Sequence, residues 1–441
     1  MPVQDRRFIG IAAPAEMRRV PLPPAAGVRH GRRSSALWVL GVLTIVSFLN
    51  YLDRMVLAVL MPPIRRELEL NDTQLGLLSG LAFALLFAVL GLPLARLADR
   101  RSRVGLLALC LATWSAMTAL SGLARSFGQL FVARVGVGVG EAGCIPAAHS
   151  LIGDLFPAHR RAFAISIFQA GALSGVSIGL LVTGILADRF GWRTALMMAG
   201  VAGVPVSLLV LTIREPARTD AALGMAESGR AAILALLARQ SFSHLVLAIS
   251  VGGFGNYGIA QWLPSFYARS FGLSLAEVGL WTGIAAAIGG IGGVLCGGWI
   301  AMRLTARDPR WEVRLPAMAY AAAAPLYAAM FLAESLPIVV ALNVVAGFAV
   351  AMGGGVALSA LQSFAEPRRR ATAVALTMFA SSLIGLGLGP LGVGMASDAL
   401  AASAGEGSLR YALLASTLTL LWAAFHFHQV FRHHARDRVA A

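Results

Sequence analysis

The chain has 441 residues, of which 58% are hydrophobic and only 13% charged, and it carries a net charge of +15. Soluble domains carry about 25% charged residues, so an ordinary water-soluble fold is excluded. All 36 basic residues are arginine; without lysine the chain is no P-loop ATPase, retinal protein or pyridoxal phosphate enzyme, each of which needs a lysine amine.

The first 36 residues are polar, rich in proline and hold seven arginines. They lack the short apolar region of a cleavable signal peptide. They read as a disordered cytoplasmic tail, with Met17 as an alternative start. Twelve apolar runs follow, each long enough to cross a bilayer, at roughly 37–61, 75–97, 104–124, 127–152, 161–187, 194–213, 243–267, 276–301, 313–333, 336–360, 371–397 and 409–431. The predicted fold is an all-α membrane protein of twelve transmembrane helices. Its expected parts are a six-helix bundle over 37–213, a cytoplasmic linker over 214–240, a second bundle over 241–431 and a cytoplasmic tail over 432–441. No room is left for a sizeable soluble domain.

Arginine counting orients the spans. With the N-terminus in the cytoplasm, 27 arginines fall on the cytoplasmic side and 7 outside, with Arg54 and Arg134 left inside spans. Such an excess of basic residues marks the cytoplasmic face. The basic excess is therefore a clue to topology, and no nucleic-acid partner is expected. The inner (plasma) membrane is the expected location, with both termini cytoplasmic. Cys110, Cys144 and Cys296 are scattered through apolar runs and form neither a disulfide framework nor a metal motif. No metal and no cofactor are expected.

The chain resembles itself. Ala95-Arg96-Leu97-Ala98-Asp99-Arg100 after span 2 recurs as Gly184-Ile185-Leu186-Ala187-Asp188-Arg189 after span 5. Weaker copies are Gly298-Trp299-Ile300-Ala301-Met302-Arg303 after span 8 and Gly394-Met395-Ala396-Ser397-Asp398 after span 11. Arg161-Ala162-Phe163-Ala164 opens span 5 as Arg370-Ala371-Thr372-Ala373 opens span 11. Each copy of the first set closes the second helix of a three-helix unit. Four such units make two pseudo-symmetric halves, the layout of secondary transporters whose substrate site lies between the halves.

Asp99-Arg100-Arg101-Ser102-Arg103 after Leu97-Ala98 resembles the loop 2–3 signature of the major facilitator superfamily (MFS). Asn50-Tyr51-Leu52-Asp53-Arg54, Leu92-Pro93-Leu94, the stretch from Arg134 through Glu141 to Pro146, Asp154-Leu155-Phe156-Pro157 and Phe190-Gly191-Trp192-Arg193 are similar to its spinster-like branch. The Asn-Tyr-x-Asp-Arg motif also occurs in the sugar-acid and organic-anion branch. The resemblance implies proton-linked transport; better-known spinster members move lysophospholipids and sphingosine phosphate. Two departures stand out: Ala95 where the signature has glycine, and Met302 where the second half would repeat the aspartate.

Ionisable residues deep in a span cost about 2.5–3.5 kcal/mol each on insertion scales. Four stand out: Asp53 and Arg54 in span 1, Arg134 and Glu141 in span 4. At about 1.5 Å rise per residue, Asp53 and Arg134 lie toward the outer side and Glu141 near the middle. Asp53 can then reach Arg134, and Arg54 can pair with Glu141. Either acid is a candidate proton carrier whose protonation frees an arginine for an anionic head group; the alternative is a permanent structural ion pair. Asn50 and Tyr51 of span 1 and Asn256, Tyr257 and Gln261 of span 7 are candidate cavity residues, with packing through hydrogen bonds as the alternative. The second half otherwise reads as an apolar wall suited to a lipophilic body. Asp99, Arg100 and Arg103 form a candidate cytoplasmic latch to a neighbouring helix end that holds the outward-open state, while Arg101 reads as loop charge.

Other signals are bland. Gly138-x-Gly140-x-x-Gly143 matches a dinucleotide fingerprint but lies inside a spanning helix, where close packing accounts for it. Gly171, Gly175 and Gly179 read the same way. His149 is a weak proton-relay candidate, and His426, His428, His433 and His434 fall near the C-terminal end. The expected function is proton-coupled transport, by alternating access, of a lipophilic or amphipathic anion such as a lysophospholipid-like substrate. Alternatives are a sugar-acid or organic-anion proton symporter and, from another class, a non-transporting receptor or sensor. An enzyme is not expected. The expected partners are a small-molecule or lipid-like substrate, protons and the bilayer, and the expected state is a monomer.

Overall fold

Backbone N–H and C=O groups inside a bilayer must bond to each other, and a helix does this within one segment. The computed structural model of the protein describes residues 35–216, 229–361, 363–366 and 369–437, nearly all helical. The expected N-terminal tail up to residue 34, the linker stretch 217–228 and the end of the C-terminal tail, 438–441, lie outside the described residues.

The first half begins with α1 (Ala36–Glu67), whose N-terminus is capped by Ser35. Span 2 is split into α2 (Asp72–Ser79) and α3 (Leu81–Arg100) at Gly80. Span 3 is α4 (Arg103–Ser121), and span 4 is α5 (Phe127–Glu141) followed by α6 (Cys144–Leu155). Spans 5 and 6 form the two arms of α7 (Ala158–Leu211), which turns at Gly191. There φ is +79°, a backbone conformation natural to glycine alone.

In the linker, α8 (Gly229–Leu237) lies at 90° to the next helix. The second half comprises α9 (Gln240–Phe271), α10 (Leu275–Ala285), α11 (Gly292–Thr305), α12 (Trp311–Leu332), α13 (Leu336–Ala360), α14 (Arg370–Ala380), α15 (Gly389–Ala404) and α16 (Ser408–Asp437). π-helical turns join α10 to α11 over Ala286–Ile291, and α14 to α15 over Ser381–Leu388. Spans 8 and 11 are therefore continuous but wound more loosely midway. With α7 counted as two spans, the described helices supply the twelve expected. Leu109, Val132, Phe163, Leu295 and Leu418 point outward, as lipid-facing side chains do.

The cores show how the halves meet. One apolar cluster spans both halves: it runs from Leu57, Leu60 and Ile64 of α1 through Trp192 to Trp262, Phe266 and Tyr267 of α9. All of these sit toward the arginine-poor face. A second cluster, from Val39 and Leu43 to Leu107, Leu151 and Phe168, belongs to the first half and takes only Leu386 from the other among its buried members. The halves are thus welded at the arginine-poor face.

Glycine sets the closest approaches. A methyl group at Gly175 of span 5 would lie 2.2 Å from the Phe48 carbonyl oxygen of α1, and one at Gly138 would lie 2.3 Å from that of Phe83. The fingerprint-like glycines are contact points between helices. Gly175→Ala should cost about 1–3 kcal/mol by overpacking. Gly41→Ala, where nothing lies within 4 Å, should cost nothing; thermal unfolding in detergent compares the two.

Candidate functional site

The polar residues of α1 recur along one side of a helix otherwise built from leucine, valine and methionine. Ser47, Asn50, Asp53 and Arg54 are all buried. Opposite them, span 4 brings Arg134 and Glu141, two turns apart on one face. Span 4 comes close because Gly138 meets the Phe83 carbonyl and Gly140 the Trp114 amide without an intervening side chain. α5 ends at Glu141, so its carboxylate sits at a break in the span.

Two ion pairs result. Arg54 Nε donates to Glu141 Oε2 at 2.7 Å, and Arg134 Nη1 lies 3.6 Å from Asp53 Oδ2. Thr118 of span 3 donates to Asp53 Oδ1 at 2.5 Å. The four charged residues are between 0% and 8% exposed. The Arg54 guanidinium also lies over the rings of Tyr51, Phe83 and Phe87, 5.0, 5.3 and 4.8 Å from their centres. Cation–π contact of this kind compensates part of the lost hydration. Gln261 of α9 donates to the Arg54 carbonyl at 3.4 Å, which ties the site to the second half.

Several buried polar atoms here have no hydrogen-bond partner among the described residues. They include both side-chain atoms of Asn50, Arg54 Nη2, Arg134 Nε and Nη1, and Glu141 Oε1. A core built only for packing pairs such atoms.

The candidate cavity residues separate. Tyr51, Gln261 and Tyr257 lie about Arg54, and Asn50 stands one turn before it on α1. Tyr257 packs beside Gly385 of span 11 and against the first-half core. Asn256 instead lines a neighbouring cavity of about 250 Å³ with Met55, Val176, Leu263, Thr282 and Asn343, between spans 1, 5, 7, 8 and 10. Thr118, Phe83 and Phe87 were missed from sequence. A threonine or phenylalanine in an apolar span carries no signal of its own.

The structure gives partners to one member of the expected cytoplasmic latch. The side chain of Asp99 lies outside the described residues, and Arg100 is exposed at the end of α3. Arg103 reaches the end of α6 and the start of the linker. It is buried, pairs with Asp154 of span 4, donates to Glu215 Oε1 at 2.7 Å, and bonds Ser150 and the Pro216 carbonyl. Burial puts its charge where Asp154 of its own half and Glu215 at the start of the linker can answer it, so it ties the first half to the linker. Glu215 also accepts from the Val104 amide and Ser102. His149 stacks edge-on against Phe168. His426 meets His244 of α9, with Nδ1 atoms 2.9 Å apart, and the His433 ring stacks near His244. The side chain of His434 lies outside the described residues.

The Major Facilitator Superfamily model matches residues 43–427. The chain belongs to this family. A relative from Mycolicibacterium smegmatis, an "MFS-type efflux pump", is 35% identical over 88% of this chain and 90% of its own length. The "Sphingosine-1-phosphate transporter SPNS2" of Xenopus tropicalis is 27% identical over 84% of this chain and 75% of its own. A solved bacterial homolog of the human lysosomal transporter spinster, inward-facing and unoccupied, superposes with a TM-score of 0.84 at 31% identity, covering 92% of this chain and 98% of that one. The protein is an MFS transporter of the spinster-like branch, multi-pass in the membrane, and not an enzyme.

Two predictions follow from this geometry. Removing one partner of a buried ion pair leaves the other charge uncompensated, at a cost of about 3–5 kcal/mol. Glu141→Leu should show that loss in thermal unfolding, and adding Arg54→Met should recover much of it. The second concerns Glu215. Burial raises its carboxyl, but the bonds from Arg103, the Val104 amide and Ser102 outweigh this and hold it below the usual carboxylate range. Its contribution is therefore complete above the unfolded value and lost as pH falls through the folded one. Glu215→Gln should lower stability at neutral pH and flatten the acid side of a stability–pH curve.

Proposed function

We propose that this chain uses the proton gradient to move a lipophilic or amphipathic anion, such as a lysophospholipid-like substrate, across the plasma membrane by alternating access. The observation that carries the reading is the double ion pair, Arg54 with Glu141 and Arg134 with Asp53, buried between spans 1 and 4, with Gln261 of span 7 in the other half bonded to the Arg54 carbonyl.

A proton arriving at Asp53 or Glu141 neutralises that acid and releases its arginine. The released guanidinium, with the unpartnered Arg54 Nη2 and Arg134 Nε, offers donors in the geometry that holds carboxylate or phosphate oxygens. A buried carboxylate's proton affinity reflects the balance between desolvation and ion pairing. Opening the cavity to water changes the first, and moving the arginine changes the second. Both sides of that balance thus depend on which face is open, as coupling requires.

The cavity beside Asn256 supports the lipophilic part of the substrate, because its lining is chiefly leucine, valine, isoleucine and alanine. The relative named as a sphingosine-1-phosphate transporter supports the same class, and the relative named as an efflux pump supports a compound cleared from the cell. On this reading the working unit is a single chain, with both termini in the cytoplasm, the arginine-poor face outside and the 214–240 linker joining the bundles.

The test is transport in proteoliposomes under an imposed pH gradient, offering a lysophospholipid or a hexuronate. The lysolipid should accumulate only with the gradient. In Asp53→Asn and Glu141→Gln together, gradient-driven accumulation should fall to the level of empty liposomes. Hexuronate transport in place of lysolipid transport would overturn the substrate class. Undiminished accumulation in the doubly substituted chain would overturn the coupling.

A further inference from the structure

The self-similar stretches after spans 5 and 11 end in acids that the ion-pair site does not use, Asp188 and Asp398. Both reach across to the other half at the arginine-poor face. Asp188 accepts from the Leu275 and Ala276 amides of α10, at 3.0 and 2.7 Å. Asp398 accepts from the Asp72 and Thr73 amides of α2, also at 3.0 and 2.7 Å. The two contacts exchange when the halves are exchanged.

The receiving helices match as well. The first turn of a helix has four amides with no partner inside the helix. In α10, Ser274 and Glu277 form a local capping box that takes two of them, and in α2 Asn71 and Gln74 do the same. In each helix the two amides left over, at the first and second helical positions, are the ones the distant aspartate takes. One turn before each aspartate is a glycine that permits the approach. A methyl group at Gly184 would lie 2.1 Å from the Leu275 carbonyl oxygen, and one at Gly394 would lie 2.2 Å from that of Asp72.

We propose that Gly184 with Asp188, and Gly394 with Asp398, form two matching clasps that hold the arginine-poor face shut, the second reinforced by Arg269 and Ser397 on the Asp72 carboxylate, and that both must release before a path opens there. Each clasp combines a close helix contact with a charge at a helix N-terminus, where negative charge is favoured. The related stretches at the arginine-rich face are both incomplete in sequence, with Ala95 in place of the glycine and Met302 in place of the aspartate. The clasps therefore bias the resting chain toward opening at the arginine-rich face. This rests on alternation of the two halves, not on the proton or the substrate.

The test reads a distance rather than transport, so it stands or falls apart from the proteoliposome result. Spin labels at Leu123→Cys and Ser403→Cys, exposed on the two halves at this face, are placed on a chain with Cys110, Cys144 and Cys296 replaced by serine. Losing a helix cap shifts an equilibrium by about fivefold, so Asp188→Ala with Asp398→Ala should raise the open-to-closed ratio at this face about 25-fold. Asn at both positions keeps one acceptor each and should fall between. Glu406→Ala removes an exposed acid at the same face and should shift nothing. If the double alanine chain is not recovered, each single alanine variant should still lengthen part of the distance distribution. Unchanged distances in the alanine variants, or an equal shift from Glu406→Ala, would overturn the proposal.

Discussion

A charge held in hydrocarbon must meet its opposite or be neutralised, and two arginines and two acids in one half of this bundle place that demand on everything around them. The Arg54–Glu141 pair needs span 4 against span 1, with a 2.7 Å contact between side chains 87 positions apart. Span 4 reaches that place only because it carries glycine where it crosses spans 2 and 3. The aromatic rings of span 2 then close over Arg54. Replace any of these features and a charge loses its compensation. The packing of the first half is in this sense arranged around its ions.

The second half faces no such demand, and its sequence shows it. Spans 7 to 12 answer the ion pairs with amides and hydroxyls, chiefly Gln261 and Tyr257, and otherwise with apolar side chains. What they contribute is movement. Among the described residues, spans 8 and 11 carry π-helical turns, and they are this half's members of the two clasps, whose other members are spans 5 and 2. A loosened turn midway lets the outer part of a span follow the opposite half while its inner part follows its own.

Much of this was legible in the sequence. Twelve apolar runs followed from length and hydropathy, because the bilayer constrains every span alike. The two ion pairs followed from depth, because a helix rises by a fixed amount per residue and an acid must lie level with its arginine. What depends on side-chain direction was not legible. Arg103 was legible as a latch to a neighbouring helix end, but a loop signature does not name its partners, Asp154 at the end of α6 and Glu215. Asp188 and Asp398 were visible as a repeat, but a repeat does not say which amides an acid will meet. Thr118 carried no signal, since one hydroxyl in an apolar helix usually bonds its own backbone.

The same reasoning ties the ions to the clasps. The ion pairs lie below a face where the halves share one apolar core, so in the cycle we propose a proton or substrate entering at that face reaches them only once that core divides. The clasps hold that division back at its rim, on backbone amides that remain satisfied by water once exposed. Opening there costs apolar contact, together with the bonds that Arg269 and Ser397 of the second half make to the buried Asp72 carboxylate. The lipophilic substrate we propose would offset the apolar part of that loss, because it covers with its own surface the apolar side chains that the parting halves expose. Such a division gives the apolar wall of the second half and the charges of the first separate parts in one cycle.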